Sequence, residues 1–169
     1  MESKDLHYGH SWHHVWLVCL FTIPAFSVYG RPLQRWIGAH LDGSQLGWLV
    51  ALTSASVCLL ALARVAQRLG PRAWWNLSWS LPLFVLLPLQ LPIVVERVHF
   101  ILFGVFGFLS VARFGLVRGA LVCALVGILD EGLQWYLPDR VGDLRDVGWN
   151  LLAGGGGVAL AVGLHWRRT

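Results

Sequence analysis

Charged residues are scarce in this 169-residue chain. Lysine, arginine, aspartate and glutamate together make up 13% of it, whereas 56% of the residues are hydrophobic and the mean hydropathy is +0.61. A water-soluble domain of this size could not cover so many apolar side chains with so little polar surface. The low charge therefore excludes an ordinary soluble protein and predicts an integral membrane protein, in which lipid covers the apolar side chains.

Cysteine motifs and basic clusters are also missing. The three cysteines, Cys19, Cys58 and Cys123, lie inside apolar runs without a CxxC pair, so we interpret them as buried hydrophobic residues. The arginines stand singly or in pairs beside apolar runs, which argues against a nucleic-acid partner because no basic stripe can follow a phosphate backbone. The N-terminus lacks an arginine-rich region before a cleavage site, so we do not interpret it as a removed signal peptide.

Apolar runs separated by short polar segments predict an all-α polytopic transmembrane bundle of about six spans. The third run contains Pro82, Pro88 and Pro92, each of which removes a backbone donor, so this span is expected to be broken or re-entrant. The loops are too short for a second domain, so residues 1–169 are expected to form a single integral-membrane domain. The runs are Val15–Tyr29, Leu46–Ala63, Trp74–Val95, Val98–Ala112, Leu116–Leu129 and Val147–Leu164.

The positions of the basic residues orient these spans. If all six runs cross the membrane, eight of the 13 lysines and arginines lie on one side and five on the other. If the third run does not cross, the division is six against seven and the bias disappears. The positive-inside rule therefore favours six spans with both termini in the cytoplasm. This topology places seven of the nine acidic residues on the outer face: Asp42, Glu96, Asp130, Glu131, Asp139, Asp143 and Asp146.

Polar residues near the predicted outer face share helix faces. Glu96 and His99, in VVERVHF between the third and fourth runs, are about 60° apart on a helix with about 100° per residue. The fifth run and the head of the sixth each carry a polar stripe within an arc of about 100° or less. The first stripe consists of Gly127, Asp130, Glu131 and Gln134, and the second of Asp143, Asp146, Asn150, Gly154 and Gly157.

The short spans predict that part of this polar cluster lies below the membrane surface. From Arg118 to Asp130 the helix rises only about 18 Å, whereas the hydrocarbon core is about 30 Å thick. A carboxylate at mid-bilayer costs about 2.5 to 3.5 kcal/mol, so several of them need partners. Such partners are available in Arg97, His99, Gln134, Arg140, Arg145 and Asn150, and together they predict a partly submerged polar pocket.

Several of these residues have simpler interpretations. Asp143 can be the N-cap of the last helix, with Asp146 in its first turn, where the helix dipole favours a negative charge. Arg145 can be an interfacial charge. The GGGG run at residues 154–157 predicts close helix packing, with small residues from Ala153 to Gly157. The N-terminal histidines His7, His10, His13 and His14 have helical spacing for a metal or tetrapyrrole, but an interfacial polar segment is the favoured interpretation.

A family resemblance rests on the order of polar residues in ERVHF, DEGLQWYLPDR and DLRDVGWNLLAGGGG. This pattern resembles the VanZ-like family of small bacterial membrane proteins, named for a teicoplanin-resistance protein. The resemblance covers about residues 95–160 and implies a multi-pass protein of the bacterial cytoplasmic membrane that is connected with cell-envelope chemistry. It departs at Leu102 and Phe103, where many relatives carry an acid and a tyrosine. The matching residues are Glu96, Arg97, His99, Phe100, Asp130, Glu131, Gln134, Arg140, Asp146 and Asn150.

We therefore predict an outward-facing pocket that handles an envelope lipid or a lipid-linked precursor, by binding or by acid/base chemistry. Paired carboxylates beside a histidine can move protons, and arginine can hold phosphate. The catalytic candidates are Asp130, Glu131 and Glu96, with His99 as a second proton carrier. The substrate-binding candidates are Arg140 as an anion clamp, Gln134 and Asn150 as orienting groups, and Arg97, Asp143 and Asp146.

The alternative is a non-catalytic accessory subunit that docks on a larger membrane complex, with the polar cluster serving only to fix the helices. The expected partners are membrane lipids and, in this alternative, other membrane subunits. No cofactor is predicted, and the carboxylates lack a spacing that is diagnostic of a metal site. A proton-coupled transporter is less favoured because six short spans leave little room for two alternating halves. The sequence leaves open whether the pocket is catalytic.

Overall fold

The computed structural model describes residues 11–69, 78–91, 94–138 and 142–165, and the regular secondary structure within those ranges is helical. Helix α1 covers Ser11–Gly38 and α2 covers Gly43–Leu69. A short helix, α3, combines a π-helical turn at Pro82–Leu86 with an α-helical turn at Leu87–Leu89. Helices α4 (Val94–Phe114), α5 (Leu116–Tyr136) and α6 (Leu144–His165) complete the described chain.

The third apolar run is broken, as its prolines predict. The backbone N–H of Leu87 donates to the carbonyl of Pro82, five residues back, which is the hydrogen-bond pattern of a π-helix. Pro88 has no N–H with which to continue an α-helical ladder. The helical segment ends at Leu89, and Leu91 is outside regular structure before α4 begins at Val94. Residues 74–77 and 92–93 of the predicted run lie outside the described residues.

Among the described residues, one helix is long and apolar enough to cross a membrane. It is the His13–Gly38 part of α1, with 26 residues and a mean hydropathy of 1.3. The Phe100–Phe114 part of α4 is a shorter apolar stretch. The other long helices carry charges within their length, such as Arg118, Asp130 and Glu131 in α5. The six-span topology therefore stays a prediction.

Helix α4 is at the centre of the bundle and contacts each of the other five helices. Its aromatic residues Phe100, Phe103 and Phe106 are almost completely buried and form the middle of the apolar core. Near the C-terminal end of α4, the indole N–H of Trp16 donates to the Ser110 hydroxyl at 2.9 Å. The Arg113 guanidinium lies 4.9 Å from the centre of the Trp16 ring, which is a cation–π contact between α4 and α1.

Glycines bring α4 and α6 into backbone contact. A Cβ atom on Gly157 would lie 1.9 Å from the carbonyl oxygen of Gly104, and one on Gly107 would lie 2.3 Å from that of Gly154. Gly155 faces open space. The packing role predicted for the GGGG run is thus confirmed for Gly154 and Gly157. A side chain on Gly157 would push α4 and α6 apart, and a Cβ atom on Gly154 would lie 2.6 Å from the Cys123 sulfur.

Helix α3 packs against two further glycines, one on α4 and one on α6. The buried ring of Phe84 occupies the space that a Cβ atom on Gly104 or Gly156 would need, with closest approaches of 2.4 and 2.9 Å. Both glycines are near the middle of their helices. The broken segment therefore reaches the centre of the bundle, although it has only a few helical turns.

A capping box begins α2 and orders the loop after α1. The Asp42 carboxylate accepts hydrogen bonds from the Ser44 hydroxyl at 2.6 Å and the Gln45 backbone N–H at 2.8 Å. The Gln45 side chain accepts the Asp42 N–H at 3.1 Å in return. These bonds, led by that of Ser44, lower the pKa of the Asp42 carboxyl because they favour its charged form.

The glycine contacts predict a difference between two neighbouring substitutions. Gly157→Ala should lower the melting temperature of the detergent-solubilised protein, because the methyl group must displace the Gly104 backbone at a cost of about 1 to 3 kcal/mol. Gly155→Ala is the matched control and should leave the melting temperature unchanged or raise it, since alanine favours helix and the site is open. Equal melting temperatures for the two variants would contradict the proposed backbone contact.

Candidate functional site

One face of α5 turns polar near its C-terminal end. Asp130, Glu131 and Gln134 are 5%, 4% and 5% exposed, although each carries a strongly hydrated group. Gly127, one turn earlier on the same face, is also buried and lets another helix approach. Burial of two adjacent carboxylates requires hydrogen-bond partners, and the neighbouring helices provide them.

Glu131 is held from three directions. Its Oε1 atom accepts hydrogen bonds from the Gln134 amide at 3.3 Å and from the Asn150 amide of α6 at 3.4 Å. Its Oε2 atom accepts the backbone N–H of Asp143 at 3.3 Å, just before α6 begins. The positive end of the α6 dipole therefore faces this carboxylate.

Asp130 lies next to Glu131 and is joined to it by a shared amide. The same Gln134 nitrogen that binds Glu131 also donates to Asp130 Oδ2 at 3.2 Å. The other carboxylate oxygen, Oδ1, accepts the hydroxyl of Ser27 from the middle of α1. One amide therefore bridges two carboxylates, and three helices meet at the pair.

Asn150 fixes α6 against α5 at this point. It is 1% exposed, and its amide nitrogen donates to the Gly127 carbonyl at 3.5 Å as well as to Glu131. The absence of a side chain at Gly127 permits this approach, because a Cβ atom there would lie 3.3 Å from that of Asn150. We call Asp130, Glu131, Gln134 and Asn150 the carboxylate cluster.

Two acidic residues, Asp143 and Asp146, make contacts at the start of α6. The Asp143 carboxylate accepts the Arg145 backbone N–H at 2.9 Å, so Asp143 is the N-cap of α6. The Arg145 guanidinium lies 3.8 Å from the carboxylates of both Asp143 and Asp146. Half of the Arg145 side chain is exposed, so water screens these ion pairs. Asp143 thus has the N-cap role of its simpler interpretation, and the described ion pairs of Arg145 lie at the exposed start of α6.

Two polar atoms beside the cluster have no hydrogen-bond partner among the described residues. They are Asp146 Oδ1, an acceptor, and Trp149 Nε1, a donor, and both are buried. The two residues are three positions apart on α6 and so lie on neighbouring parts of one helix face. Asp146 Oδ1 is the atom that lies 3.8 Å from Arg145 Nε, so an ion pair partly compensates its charge, whereas Trp149 Nε1 is a buried donor without a described hydrogen-bond partner.

The loop from α5 to α6 is tied back to α5 by Trp135. Its indole N–H donates to the carbonyl of Gly142, and a Cβ atom on Gly142 would overlap the indole ring. This contact holds the chain just before Asp143, whose N–H binds Glu131. The Trp135 side chain is 66% exposed, so this hydrogen bond lies at the surface of the bundle.

The remaining predicted site residues have different positions. Arg97 donates from Nε and Nη2 to the Leu91 carbonyl, at 3.2 and 2.9 Å, and so fixes the chain between α3 and α4. No described contact joins Arg97 to the carboxylate cluster. The side chains of Glu96 and His99, and the whole of Arg140, lie outside the described residues.

Ser27 was missed by the sequence analysis. Its position 103 residues before Asp130 hides the contact from any local pattern. A weak signal is present, because Trp16, Ile23 and Ser27 fall on one face of α1 at helical spacing and Ser27 is the polar member. The Gly127 carbonyl, which accepts from Asn150, leaves no signal in the sequence because every residue has such a group.

The two departures from the family pattern lie on α4. Phe103 is 1% exposed, and its ring would lie 3.5 Å from a Cβ atom on Gly127. Phe103 thus places an apolar wall next to the polar face of α5. Leu102 is half-buried and packs against the apolar core.

The chemistry available to the cluster is that of carboxylates and amides. Among the described ranges, no group of three or more histidines, cysteines or acidic residues is placed to hold a metal ion. The described polar contacts of Glu131 come from N–H donors, which suit a charged carboxylate. Two carboxylates so close together can exchange a proton with each other or with a bound molecule.

Comparison with protein families found a match along nearly the whole chain. The model of a family described as VanZ/LLP1 matches residues 15–165. The match extends well before residues 95–160, which carry the sequence resemblance, and it includes all of the carboxylate cluster and Ser27. Comparisons with curated proteins and with solved structures found no match.

The cluster geometry predicts the effect of one conservative change. Asn150→Asp replaces the donor that faces Glu131 with a third acid, so the protein should lose stability by about 1 to 3 kcal/mol, and melting in detergent should show it. Gln45→Glu is the control, because it makes the same amide-to-carboxylate change at an exposed capping position where glutamate serves equally well. An unchanged melting temperature for Asn150→Asp would contradict the assigned contact with Glu131.

Proposed function

The chain belongs to the VanZ/LLP1 family, and from this premise we propose that its carboxylate cluster binds the polar head group of an envelope lipid or lipid-linked precursor and acts on it by proton transfer. The observation that carries the proposal is the buried pair Asp130 and Glu131, bridged by the one amide of Gln134. Burying two adjacent acids costs stability, and a purely structural network can be built from amides and hydroxyls alone.

A membrane location is supported by two findings. The family match and the apolar helix at His13–Gly38 both indicate a membrane protein. Ser27, which binds Asp130, is 11 residues before the end of α1 at Gly38, a distance of roughly 16 Å along the helix. If α1 crosses the bilayer, the cluster lies well below the head groups of the outer leaflet. Multi-pass topology in the bacterial cytoplasmic membrane, with both termini in the cytoplasm, is part of this proposal.

A lipid head group offers an acceptor for the Trp149 indole. Trp149 Nε1 is a buried donor without a described hydrogen-bond partner, and the oxygen atoms of a phosphoester or sugar head group accept hydrogen bonds. Phe103 and Phe100 supply apolar surface nearby, and the Trp149 ring lies 5.8 Å from that of Phe100. Apolar walls with a few polar groups are typical of ligand sites.

The proposed roles follow from the contacts. Asp130 and Glu131 exchange the proton, and Gln134 and Asn150 keep their carboxylates oriented. His99 and Arg140 are proposed as a second proton carrier and an anion clamp, and Glu96 as a further acid, on the strength of the sequence pattern. Asp146 is proposed to contact the head group, whereas Arg97 and Asp143 act through their helix ends.

Lipid retention tests this function. Native mass spectrometry of the protein in mild detergent should detect a bound lipid, and Glu131→Gln should lower its occupancy about tenfold or more, because a charge-assisted hydrogen bond is worth about 1.5 to 3 kcal/mol. Asp42→Asn is the matched control, since Asp42 is an exposed carboxylate on the α1–α2 loop and asparagine also caps helices. Equal lipid occupancy in wild type and Glu131→Gln would contradict the proposal.

A second candidate function is an accessory subunit docked on a larger membrane complex. Large apolar side chains of α2, including Trp48, Leu52 and Leu60, are exposed in the described structure. Lipid can cover this face, and so can a neighbouring subunit. In this alternative the carboxylate cluster only fixes the helices.

Purification separates the two candidates. If the lipid proposal is correct, the protein extracted in mild detergent should purify without partner subunits and with bound lipid. If the protein is an accessory subunit, partner subunits should co-purify in stoichiometric amount. If partners are found, Leu52→Trp should release them by adding bulk to the exposed face of α2, while Leu121→Trp, at an exposed position of α5, should not. Stoichiometric partners released by Leu52→Trp would favour the accessory role.

A further inference from the structure

The hydroxyl of Ser27 links α1 to the carboxylate cluster. Ser27 is 2% exposed, and its Oγ lies within hydrogen-bond distance of Asp130 Oδ1 and 3.4 Å from the backbone carbonyl of Ile23. The other buried residues on this face of α1 are apolar or have no side chain: Trp16, Ile23 and Gly30. Ser27 is therefore the polar group that this face of α1 presents to α5.

Two threonine hydroxyls show the hydrogen bond that a helical hydroxyl makes when no side-chain acceptor is near. Thr22 donates to the carbonyl of Val18 at 2.7 Å, and Thr53 to that of Leu49 at 2.8 Å, the usual bond of a hydroxyl to the carbonyl four residues back. The corresponding distance from Ser27 to Ile23 is longer, at 3.4 Å. The Ser27 hydroxyl therefore bonds more closely to Asp130 than to the carbonyl of its own helix.

A hydroxyl differs from the other described partners of Asp130 in one chemical respect. The Gln134 amide nitrogen can only donate, whereas a serine hydroxyl both donates and accepts. When Asp130 is charged, Ser27 can donate to it. When Asp130 carries a proton, that proton can bond to Ser27 Oγ while the serine proton turns to the Ile23 carbonyl.

We propose that Ser27 is a positioning residue of the site, whose hydroxyl holds the Asp130 side chain in place both before and after Asp130 takes up a proton. The inference rests on the proposed proton transfer at the cluster. It assigns α1 a part in the site, in addition to α5 and α6, and it gives Asp130 a partner that can donate to the charged carboxylate and accept from the protonated one.

Charged groups around the pair come from several elements. Glu131 is beside Asp130 on α5, and α6 brings Asp143, Arg145 and Asp146 to its first turn. On α4 the described charge nearest the start of the helix, Arg97, is bound to the Leu91 carbonyl, and the side chains of Glu96 and His99 lie outside the described residues. Within α1 the buried face around Ser27 carries no charge in its described part.

Infrared difference spectroscopy of the full-length protein in nanodiscs tests the role of Ser27. Acidification makes each carboxyl visible through its C=O band, and Asp130→Asn identifies the Asp130 band by its loss. In Ser27→Ala this band should shift to higher wavenumber, because a carboxyl that loses a hydrogen-bond partner has a stiffer C=O bond. Ser27→Thr keeps the hydroxyl and should restore the wild-type position, and Ser27→Cys, a weaker partner, should give an intermediate shift.

Thr22→Val is the matched control, because it removes a hydroxyl of α1 that bonds only within the helix, and it should leave the Asp130 band unchanged. An Asp130 band at the same position in wild type, Ser27→Ala and Ser27→Cys would overturn the inference. The spectra do not depend on a bound lipid, so failure of the lipid proposal would appear in mass spectrometry alone, and failure of the Ser27 proposal in the infrared bands alone.

Discussion

The backbone contact between α4 and α6 is the constraint on which the other features depend. Gly104 and Gly107 face Gly157 and Gly154 so closely that a single methyl group would not fit. Because the two helices cannot slide without overlap, the first turns of α6 have a fixed position over α5. That position brings Asn150 and the Asp143 N–H to Glu131. An apolar contact without directional bonds thus determines the geometry of the polar ones.

The polar contacts in turn restrict the rest of the bundle. Two buried carboxylates tolerate little movement, since a lost donor leaves a charged oxygen without compensation in an apolar surrounding. Gln134 holds both acids, Asn150 joins α6 to α5, and Ser27 joins α1 to α5. Phe103, which is 1% exposed, packs next to Gly127 beside this network. The result is a pair of buried carboxylates inside a largely apolar protein. The proposed proton transfer to a lipid substrate would need this arrangement.

Much of the architecture could be predicted from local pattern. Helical spacing placed Asp130, Glu131 and Gln134 on one face, and the structure buries all three. The prolines of the third run predicted its break, and the position of Asp143 after Gly142 predicted a helix cap. The packing function of the GGGG run was also foreseen. Arg97 was interpreted as a substrate-binding residue, whereas its described bonds go to the Leu91 carbonyl, because a guanidinium near a helix end takes the nearest free acceptor.

The sequence by itself determined the properties that depend on neighbours in the chain: the helices of the described residues, the faces of those helices and their caps. Periodicity and composition act over a few residues, so they can be read without the fold. Only the tertiary structure decided which faces meet, because contacts such as Ser27 with Asp130 join residues 103 positions apart. It also decided which glycine of the run touches another backbone and which faces open space, since that choice depends on the rotation of α6 against α4.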